Sequence, residues 1–416
     1  MKIAVWHNLN SGGAKRALHM HVQGLARRGH KIHAFSTNIA DHGYLPLSPH
    51  AIEDVLVLPS EPKRQGPKKL LPDWLRSKEA EYRIGQLNRM LIHGSQCGEA
   101  IRKGGFDILF ANSCTLTYNT CIGTYVDIPS LIYLQEPYRP FYEASPRLPW
   151  LLPQVATRHP HNPFKRSAER CRDLHRNHWI RLQASEEFRW ARSYNRILCN
   201  SQFSRESILR AYNLDSKVCY LGIDTSDFNV SDGEKESYVV SVGGLHYGKR
   251  VERALHAIAV IPQNLRPPLK WIGNIADPDY VSAMHGLAAD LGVDFQHIVR
   301  ASDQELQQIL GRAACFLYTP FLEPFGLAPL EANACGTAVV AIAEGGVKET
   351  IVPGVNGLLA NDSDPEALAE LILRFTLDLG AAKRMGLQAR QHVMATWPVE
   401  SAIDRIEHHL LQVSNR

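Results

Sequence analysis

No run of about 18 consecutive apolar residues occurs in the sequence, so no transmembrane helix is expected. The start, Met1-Lys2-Ile3-Ala4-Val5-Trp6, also lacks the apolar stretch and small-residue cleavage site of a secretory leader. Cysteine is sparse and scattered, at positions 97, 114, 121, 171, 199, 219, 315 and 335. None forms a C-x-x-C pair or has zinc-ligand spacing with histidine, so we expect reduced, mostly buried thiols in a cytoplasmic protein. A G-x-G-x-x-G fingerprint is missing after either opening strand, which speaks against a dinucleotide-dependent oxidoreductase. Charge of one sign is also scarce. The net +4 is small for this length and does not call for nucleic acid.

What is present describes a globular chain. Hydrophobic residues make up 44% and charged residues 21%, ordinary values for a folded protein with solvated surfaces. At 416 residues the chain is too long for one core and suits two domains of roughly 200 residues.

The first half alternates short apolar runs with helical patterns. Residues 2–6 predict a strand and Asn10-Ser11-Gly12-Gly13 a glycine-rich turn. Ala17, Leu18, Val22, Leu25 and Ala26 then recur at helical spacing up to Gly29, a C-terminal glycine. Residues 31–35 predict the next strand, giving a βαβ opening and a parallel sheet. Further strands are expected at 107–111, 130–134 and 196–200. A second series is expected at 238–243, 269–272, 314–318 and 338–342. Two α/β series of similar size favour two doubly wound domains over an eight-fold barrel. The expected division is 1–219, 220–396 and a terminal helix in 397–416, with Pro398 in its first turn.

Two basic inserts interrupt the pattern. Residues 60–80 carry Lys63, Arg64, Lys68, Lys69, Arg76 and Lys78 among prolines. Residues 147–192 carry ten Lys/Arg, from Arg147 and Arg158 through Arg189 and Arg192, against four acids. Trp150, Phe164, Trp179, Phe188 and Trp190 are interleaved. Three readings stay open: a solvated helical face, a surface for anionic lipid or a lipid-diphosphate acceptor, and a pocket for an acidic or phosphorylated soluble acceptor.

The strongest chemical signal is Phe321-Leu322-Glu323-Pro324-Phe325-Gly326-Leu327-Ala328-Pro329-Leu330-Glu331-Ala332-Asn333-Ala334-Cys335-Gly336. Glu323 precedes a predicted helix and Glu331 lies inside it. Eight helical steps cover about 12 Å, the reach a nucleoside diphosphate sugar needs between its hexose and its ribose. A carboxylate accepts well from the paired hydroxyls of each ring. Phe325-Gly326-Leu327 opens the helix, where free N–H groups and the positive dipole end suit sugar oxygens or phosphate.

This run resembles the signature of the family 4 (group 1) retaining glycosyltransferases, as does Ala338-Val339-Val340 leading to Gly345-Gly346-Val347-Lys348-Glu349. Ser11-Gly12-Gly13, Asn200-Ser201-Gln202-Phe203-Ser204, Leu221-Gly222-Ile223-Asp224 and Val242-Gly243 through Lys249 resemble further segments of that family. The resemblance implies the GT-B fold, two Rossmann-like domains facing each other across a cleft, with a C-terminal helix crossing back to the first. It also implies transfer of a sugar from a nucleotide-diphosphate sugar to an acceptor hydroxyl, with retention and without metal or another cofactor. The acceptor would be a carbohydrate, glycolipid or small molecule, in polysaccharide or glycoconjugate synthesis. Peripheral contact with the inner face of a membrane is compatible with this, and nucleic acid is not expected.

Carried over position by position, the resemblance implies Lys249, Glu323, Gln135 and Arg250 as catalytic candidates. Gly12, Gly13, Gly243 and Gly244 would join Lys249 and Glu323 in holding the donor. Phe325, Gly326, Leu327 and Glu331 complete that set, while Gln135, Glu136 and Arg139 face the acceptor. Two departures stand out. Gly244 occupies the place of an arginine that the family pairs with the lysine at 249, which leaves Arg250 as the substitute cation. Gln135 stands where the family often has histidine and cannot titrate. These departures keep open a binding protein of the same fold that has lost catalysis, which turnover of a nucleotide sugar would separate. A phosphorylase or epimerase on the same fold is the third reading.

The D-x-D strings Asp277-Pro278-Asp279 and Asp362-Ser363-Asp364 are not expected to bind metal. The first reads as a loop, and Ser363 with Glu366 and Ser302 with Glu305 read as capping boxes.

Overall fold

The computed structural model describes residues 1–60, 72, 75–142, 163–230, 233–274, 277–361 and 364–415. Lys63, Arg64, Lys68 and Lys69 of the first insert lie outside the described residues, as do Arg147, Trp150 and Arg158 of the second and Asp362 and Ser363. The chain divides into two compact units. One comprises Met1–Asn200, Arg205–Cys219 and Arg405–Arg416, the other Ser201–Ser204 and Tyr220–Asp404. Each is built on a parallel, Rossmann-like sheet, the fold class the sequence leads one to expect.

The first unit holds strands β1 (Lys2–Asn8), β2 (Lys31–Thr37), β3 (Ile52–Leu56), β4 (Ile108–Cys114), β5 (Ser130–Tyr133), β6 (Arg196–Cys199) and β7 (Lys217–Val218). Their order across the sheet is β3-β2-β1-β4-β5-β6-β7. Ile3, Ala4, Val5 and Trp6 of β1 are all fully buried, as expected of a central strand covered on both faces. Helix α1 (Gly13–Arg27) starts directly after Gly12, whose φ of 138° is open to glycine and strained for other residues. It buries Ala17, Leu18, Val22 and Leu25 and ends before Gly29, at φ 84°. Helix α2 (Lys78–Gly104) is capped by the Ser77 hydroxyl, which accepts from the Ala80 N–H, and closes on Gly105 in the left-handed region. The short α3 (Arg139–Tyr142), α4 (Pro163–Ala191) and α5 (Gln202–Tyr212) follow.

Helix α4 sorts the aromatics of the second insert. Trp179 and Trp190 are buried, whereas Phe164 and Phe188 are exposed. Part of its charge is spent locally: Arg176 pairs with Asp173 and with Glu79 of α2, and Arg189 with Glu186.

The second unit orders its strands β10-β9-β8-β11-β12-β13. These are β8 (Glu236–Val242), β9 (Leu269–Ile272), β10 (Phe295–Ile298), β11 (Ala313–Tyr318), β12 (Val339–Ile342) and β13 (Gly357–Ala360). Helices α6 (Val251–Ala259), α7 (Pro278–Leu291), α8 (Asp303–Arg312), α9 (Leu327–Ala334), α10 (Val347–Thr350), α11 (Pro365–Thr376) and α12 (Leu379–Thr396) surround them. Val239, Leu255, Trp271, Leu317, Val340 and Ile372 centre its core. Ser302 and Glu305 form the expected capping box. Asp277 corrects a reading: it does not sit in a plain loop but caps α7, accepting from the N–H groups of Asp279 and Tyr280.

Helix α13 (Val399–Ser414) begins in the second unit and from Arg405 onward belongs to the first. There Glu407 accepts from Arg28 at 2.7 Å and meets His30 at 2.7 Å, and Arg196 donates to Gln412 at 2.7 Å. Pro398 stands just before the helix rather than in its first turn. It lies in a parallel bridge with Ile223, whose N–H donates to the Trp397 carbonyl. Among the described residues, no helix is long and apolar enough to cross a membrane.

Candidate active site

In the second unit, three neighbouring strands, β8, β11 and β12, end in loops that bond to one another. This is the carboxyl edge of a parallel sheet, where such folds bind ligands. After β8 the backbone passes Gly243 and Gly244 into a 3-10 turn, Tyr247–Lys249. Arg250 then adopts φ 49°, unusual for a residue with a side chain, and α6 begins. Thr319, just past β11, donates its hydroxyl to the carbonyls of Lys249 and Arg250 at 3.0 and 3.2 Å. Phe321 donates its N–H to the Gly248 carbonyl at 3.0 Å.

This bracing delivers two ion pairs. The Lys249 ammonium donates to Glu323 Oε2 at 2.8 Å, both side chains being partly buried. The Arg250 guanidinium reaches the two oxygens of Glu344 at 3.2 and 3.1 Å and lies 4.2 Å from the centre of the Phe321 ring. Arg250 is thus next to Lys249 in the chain but engaged with a different carboxylate.

The glycines after β12 explain how the third loop comes so close. A Cβ on Gly345 would stand 2.5 Å from the Glu323 carbonyl oxygen, and one on Gly346 would stand 2.0 Å from that of Pro324. With no side chains there, the Gly346 N–H donates to the Glu323 carbonyl at 2.8 Å. Phe325 is buried edge-on to Trp397, and Gly326, at φ 94°, caps α9. Leu327 is the first helical residue and Glu331 lies buried in the second turn. Only half of the segment between Glu323 and Glu331 is therefore helical, unlike the continuous helix used to estimate their reach. Burial first, and then the nearby Glu331 carboxylate, pushes the Cys335 thiol up to about 12, so it stays protonated and unreactive.

Glu349, in α10, accepts from the N–H groups of Gln202 and Phe203 at 2.8 and 2.9 Å and from the Tyr220 hydroxyl at 2.9 Å. It is committed to capping a helix start.

In the first unit, Gly12 and Gly13 follow β1, while Gln135, Glu136 and Arg139 follow β5. Gln135 is half-buried, and Glu136 accepts from Arg139 Nε at 2.5 Å. Sequence reasoning missed Thr319, Phe321 and Glu344. The only signal for Glu344 is its place directly before Gly345-Gly346.

Comparison with known proteins bears on this geometry. Residues 223–392 match the model of the family described as glycosyl transferases group 1. The chain is 34% identical over 128 residues to alpha-1,3/1,6-mannosyltransferase ALG2 of Rhizomucor pusillus, covering 30% of this chain and 28% of that protein. It is 27% identical over 226 residues to D-inositol 3-phosphate glycosyltransferase of Streptomyces bingchenggensis, covering 48% and 49%. The matches thus span half or less of the length of these curated relatives. Among solved structures, sucrose-phosphate synthase from Thermosynechococcus elongatus superimposes with a TM-score of 0.70 at 18% identity, over 99% of both chains. Anabaena HepE in complex with UDP and glucose gives 0.69 at 19% identity, again over 99% of both. At such identities these structures establish the shared fold.

Proposed function

From the match of residues 223–392 to the family of glycosyl transferases group 1, we infer that the chain is a transferase of that group, which moves a sugar from a nucleotide-diphosphate sugar to an acceptor hydroxyl with retention of configuration. The observation that carries this reading is the contact of Lys249 with Glu323 in the segment leading into α9, eight residues before the buried Glu331. A cation, a helix start and two carboxylates then share one sheet edge, the set of groups a sugar diphosphate requires.

In this reading Glu331 holds the ribose hydroxyls and Glu323 the hexose. The N–H groups at Gly326 and Leu327, with Phe325 fixing the turn, face sugar or phosphate oxygens. Gly243 and Gly244 let the backbone approach the diphosphate. Breaking the anomeric bond leaves extra negative charge on the diphosphate, and Lys249 is the group we assign to meet it. A leaving phosphate oxygen takes the acceptor proton on the same face, so no side-chain base and no metal is needed. Gln135, Glu136 and Arg139 serve the acceptor side, which makes the first unit the acceptor domain and the second the donor domain. The exposed Phe164 and Phe188 of the basic helix α4 support peripheral membrane contact at a cytoplasmic face.

A second reading rests on Gly244 and on the pairing of Arg250 with Glu344. With one cation absent and its substitute already engaged, the protein would bind nucleotide sugars without transferring them. The deciding experiment screens UDP, GDP, ADP and dTDP sugars by thermal shift, followed by product analysis with the sugar that binds. Stabilisation with turnover supports the transferase, and stabilisation without turnover or hydrolysis supports the binding protein. No stabilisation by any of them overturns both.

A further inference from the structure

Two neighbouring strands of the first unit, β4 and β5, run parallel and release their following loops at the same carboxyl edge. Those loops carry a row of aromatic rings. The Tyr118 ring lies 4.7 Å from that of Tyr138, Tyr138 lies 4.5 Å from Phe141, and Phe141 meets Trp179 of α4 edge-on at 5.5 Å. Trp179 is buried, whereas Tyr118, Tyr138 and Phe141 are only half-buried, so the row runs from the core out to the surface. Among the described residues the hydroxyls of Tyr118 and Tyr138 make no hydrogen bond, and neither is closed off from solvent.

Tyr118 is held there under strain. Its φ of 55° lies in the left-handed region, which a bulky aromatic residue rarely adopts and glycine takes freely. Two backbone bonds lock it: the Tyr118 N–H donates to the Cys114 carbonyl at 2.7 Å, and the Cys114 N–H donates to the Tyr118 carbonyl at 3.0 Å. Thr115 ties the same loop to β1, donating its hydroxyl to the Asn8 carbonyl at 2.7 Å. A strained residue in a braced loop at the carboxyl edge of a parallel sheet points to a working side chain. The polar groups beside the rings are of the kind a sugar needs. Glu136 accepts from Arg139 at 2.5 Å, and both side chains are partly exposed. Burial first, then the Glu136 carboxylate, pushes the Tyr118 hydroxyl up to about 12, so it stays a donor with that carboxylate nearby. A pyranose presents an apolar C–H face and a rim of hydroxyls. Half-open rings complement the face, and a carboxylate, a guanidinium and two phenols complement the rim.

We propose that Tyr118, Tyr138 and Phe141, with Glu136 and Arg139, form a platform in the first unit on which a sugar ring of the acceptor stacks, so that the acceptor is a saccharide or glycoside. The word acceptor rests on the transferase reading, whereas the sugar site does not. The test uses the full chain and no nucleotide sugar. Methyl glycosides of glucose, galactose, mannose and N-acetylglucosamine are titrated separately, and binding is read by saturation-transfer NMR. At least one of them should give a saturable signal. Tyr118→Gly removes the ring and releases the strained backbone, so this variant should melt within about 3 °C of the wild type and bind that glycoside about tenfold more weakly or worse. Tyr118→Phe keeps the ring, and its affinity should stay within about threefold of the wild type. Tyr138→Leu should weaken binding as well and covers the case of a Tyr118 variant that does not fold. No saturable signal with any of these glycosides in the wild type overturns the proposal. Unchanged affinity in both Tyr118→Gly and Tyr138→Leu overturns it too, and loss of the signal in Glu323→Gln would then put the glycoside at the hexose position of the donor. Glycoside binding without transfer from any nucleotide sugar would leave this site standing and refute the transferase reading alone, and transfer without such binding would do the reverse.

Discussion

Glu187 offers a measurable handle on the first unit. It lies in α4, fully buried, with Gln183 donating to one carboxyl oxygen at 2.7 Å and the Tyr212 hydroxyl donating to the other at 3.0 Å. Burial raises its pKa from the ordinary 4.5 to about 8, and the two hydrogen bonds offset only part of that rise. The sign follows directly. Between these two values the folded chain holds a proton that the unfolded chain has released, so the stability Glu187 contributes is complete below pH 4.5 and is lost as pH rises to about 8. Each pKa unit is worth about 1.4 kcal/mol, so the window spans on the order of 5 kcal/mol as a ceiling. Glu187→Gln removes the titration while keeping the contacts: its carbonyl accepts from Gln183 and its amide donates to the Tyr212 oxygen. Urea unfolding at pH 5.5, 7 and 8.5, followed by tryptophan fluorescence, is the assay. Trp179 and Trp190 of the same helix report the first unit. The variant should already exceed the wild type by about 1.4 kcal/mol at pH 5.5, one unit above the unfolded pKa, and by increasingly more up to about pH 8. Parallel profiles for the two proteins would refute a neutral buried carboxyl.

At the proposed donor site, Glu331→Ala should weaken nucleotide-sugar affinity about ten- to a hundred-fold, because a hydrogen bond to a charged group is worth roughly 1.5–3 kcal/mol. Unchanged affinity by calorimetry in the folded variant would remove Glu331 from the ribose. Lys249→Ala should lower turnover more than donor affinity, since the charge it meets grows in the transition state. An equal fall in affinity and catalytic efficiency with turnover intact would contradict that role. Arg250→Ala should lower turnover as well if Arg250 leaves Glu344 for the diphosphate, and normal rates would confine Arg250 to bracing its loop. Sugar transfer should survive EDTA; loss restored by magnesium or manganese would show a metal-dependent reaction.

Elements with a local cause were legible in the sequence. The buried runs of β1, β8 and β11 read as strands because central parallel strands are apolar on both faces. The edge strands β3 and β10 were missed, since Glu53 and Asp54 or Gln296 and His297 interrupt their apolar pattern where one side meets solvent. For the second insert a solvated helical face was one of three open readings, and a helix that is partly internal was not among them. Nothing in its composition separates Trp179 and Trp190, which enter the core, from Phe164 and Phe188, which do not. Pairings across the fold were beyond reach for a different reason. Lys249 and Glu323 are 74 positions apart, and Arg250 and Glu344 are 94 apart. Only the order β8-β11-β12 brings their loops side by side.

That order also explains why neighbouring cations in the chain have different partners. The loop after β8 lies against two others, from β11 and from β12. Lys249 ends the 3-10 turn and faces the β11 loop, which carries Glu323. Arg250, turned by its left-handed backbone, faces the β12 loop, which carries Glu344. The two carbonyls that Thr319 binds belong to these same two residues, so one hydroxyl fixes the point at which the chain diverges. Gly345 and Gly346 then admit the third loop to within bonding distance of the second. An arginine at 244 would lie upstream of this divergence and outside its bracing. Arg250 lies downstream of it, where Thr319, Phe321 and Glu344 hold its direction. If Arg250 is the second cation of the donor site proposed above, its pairing with Glu344 must yield before it can meet a diphosphate.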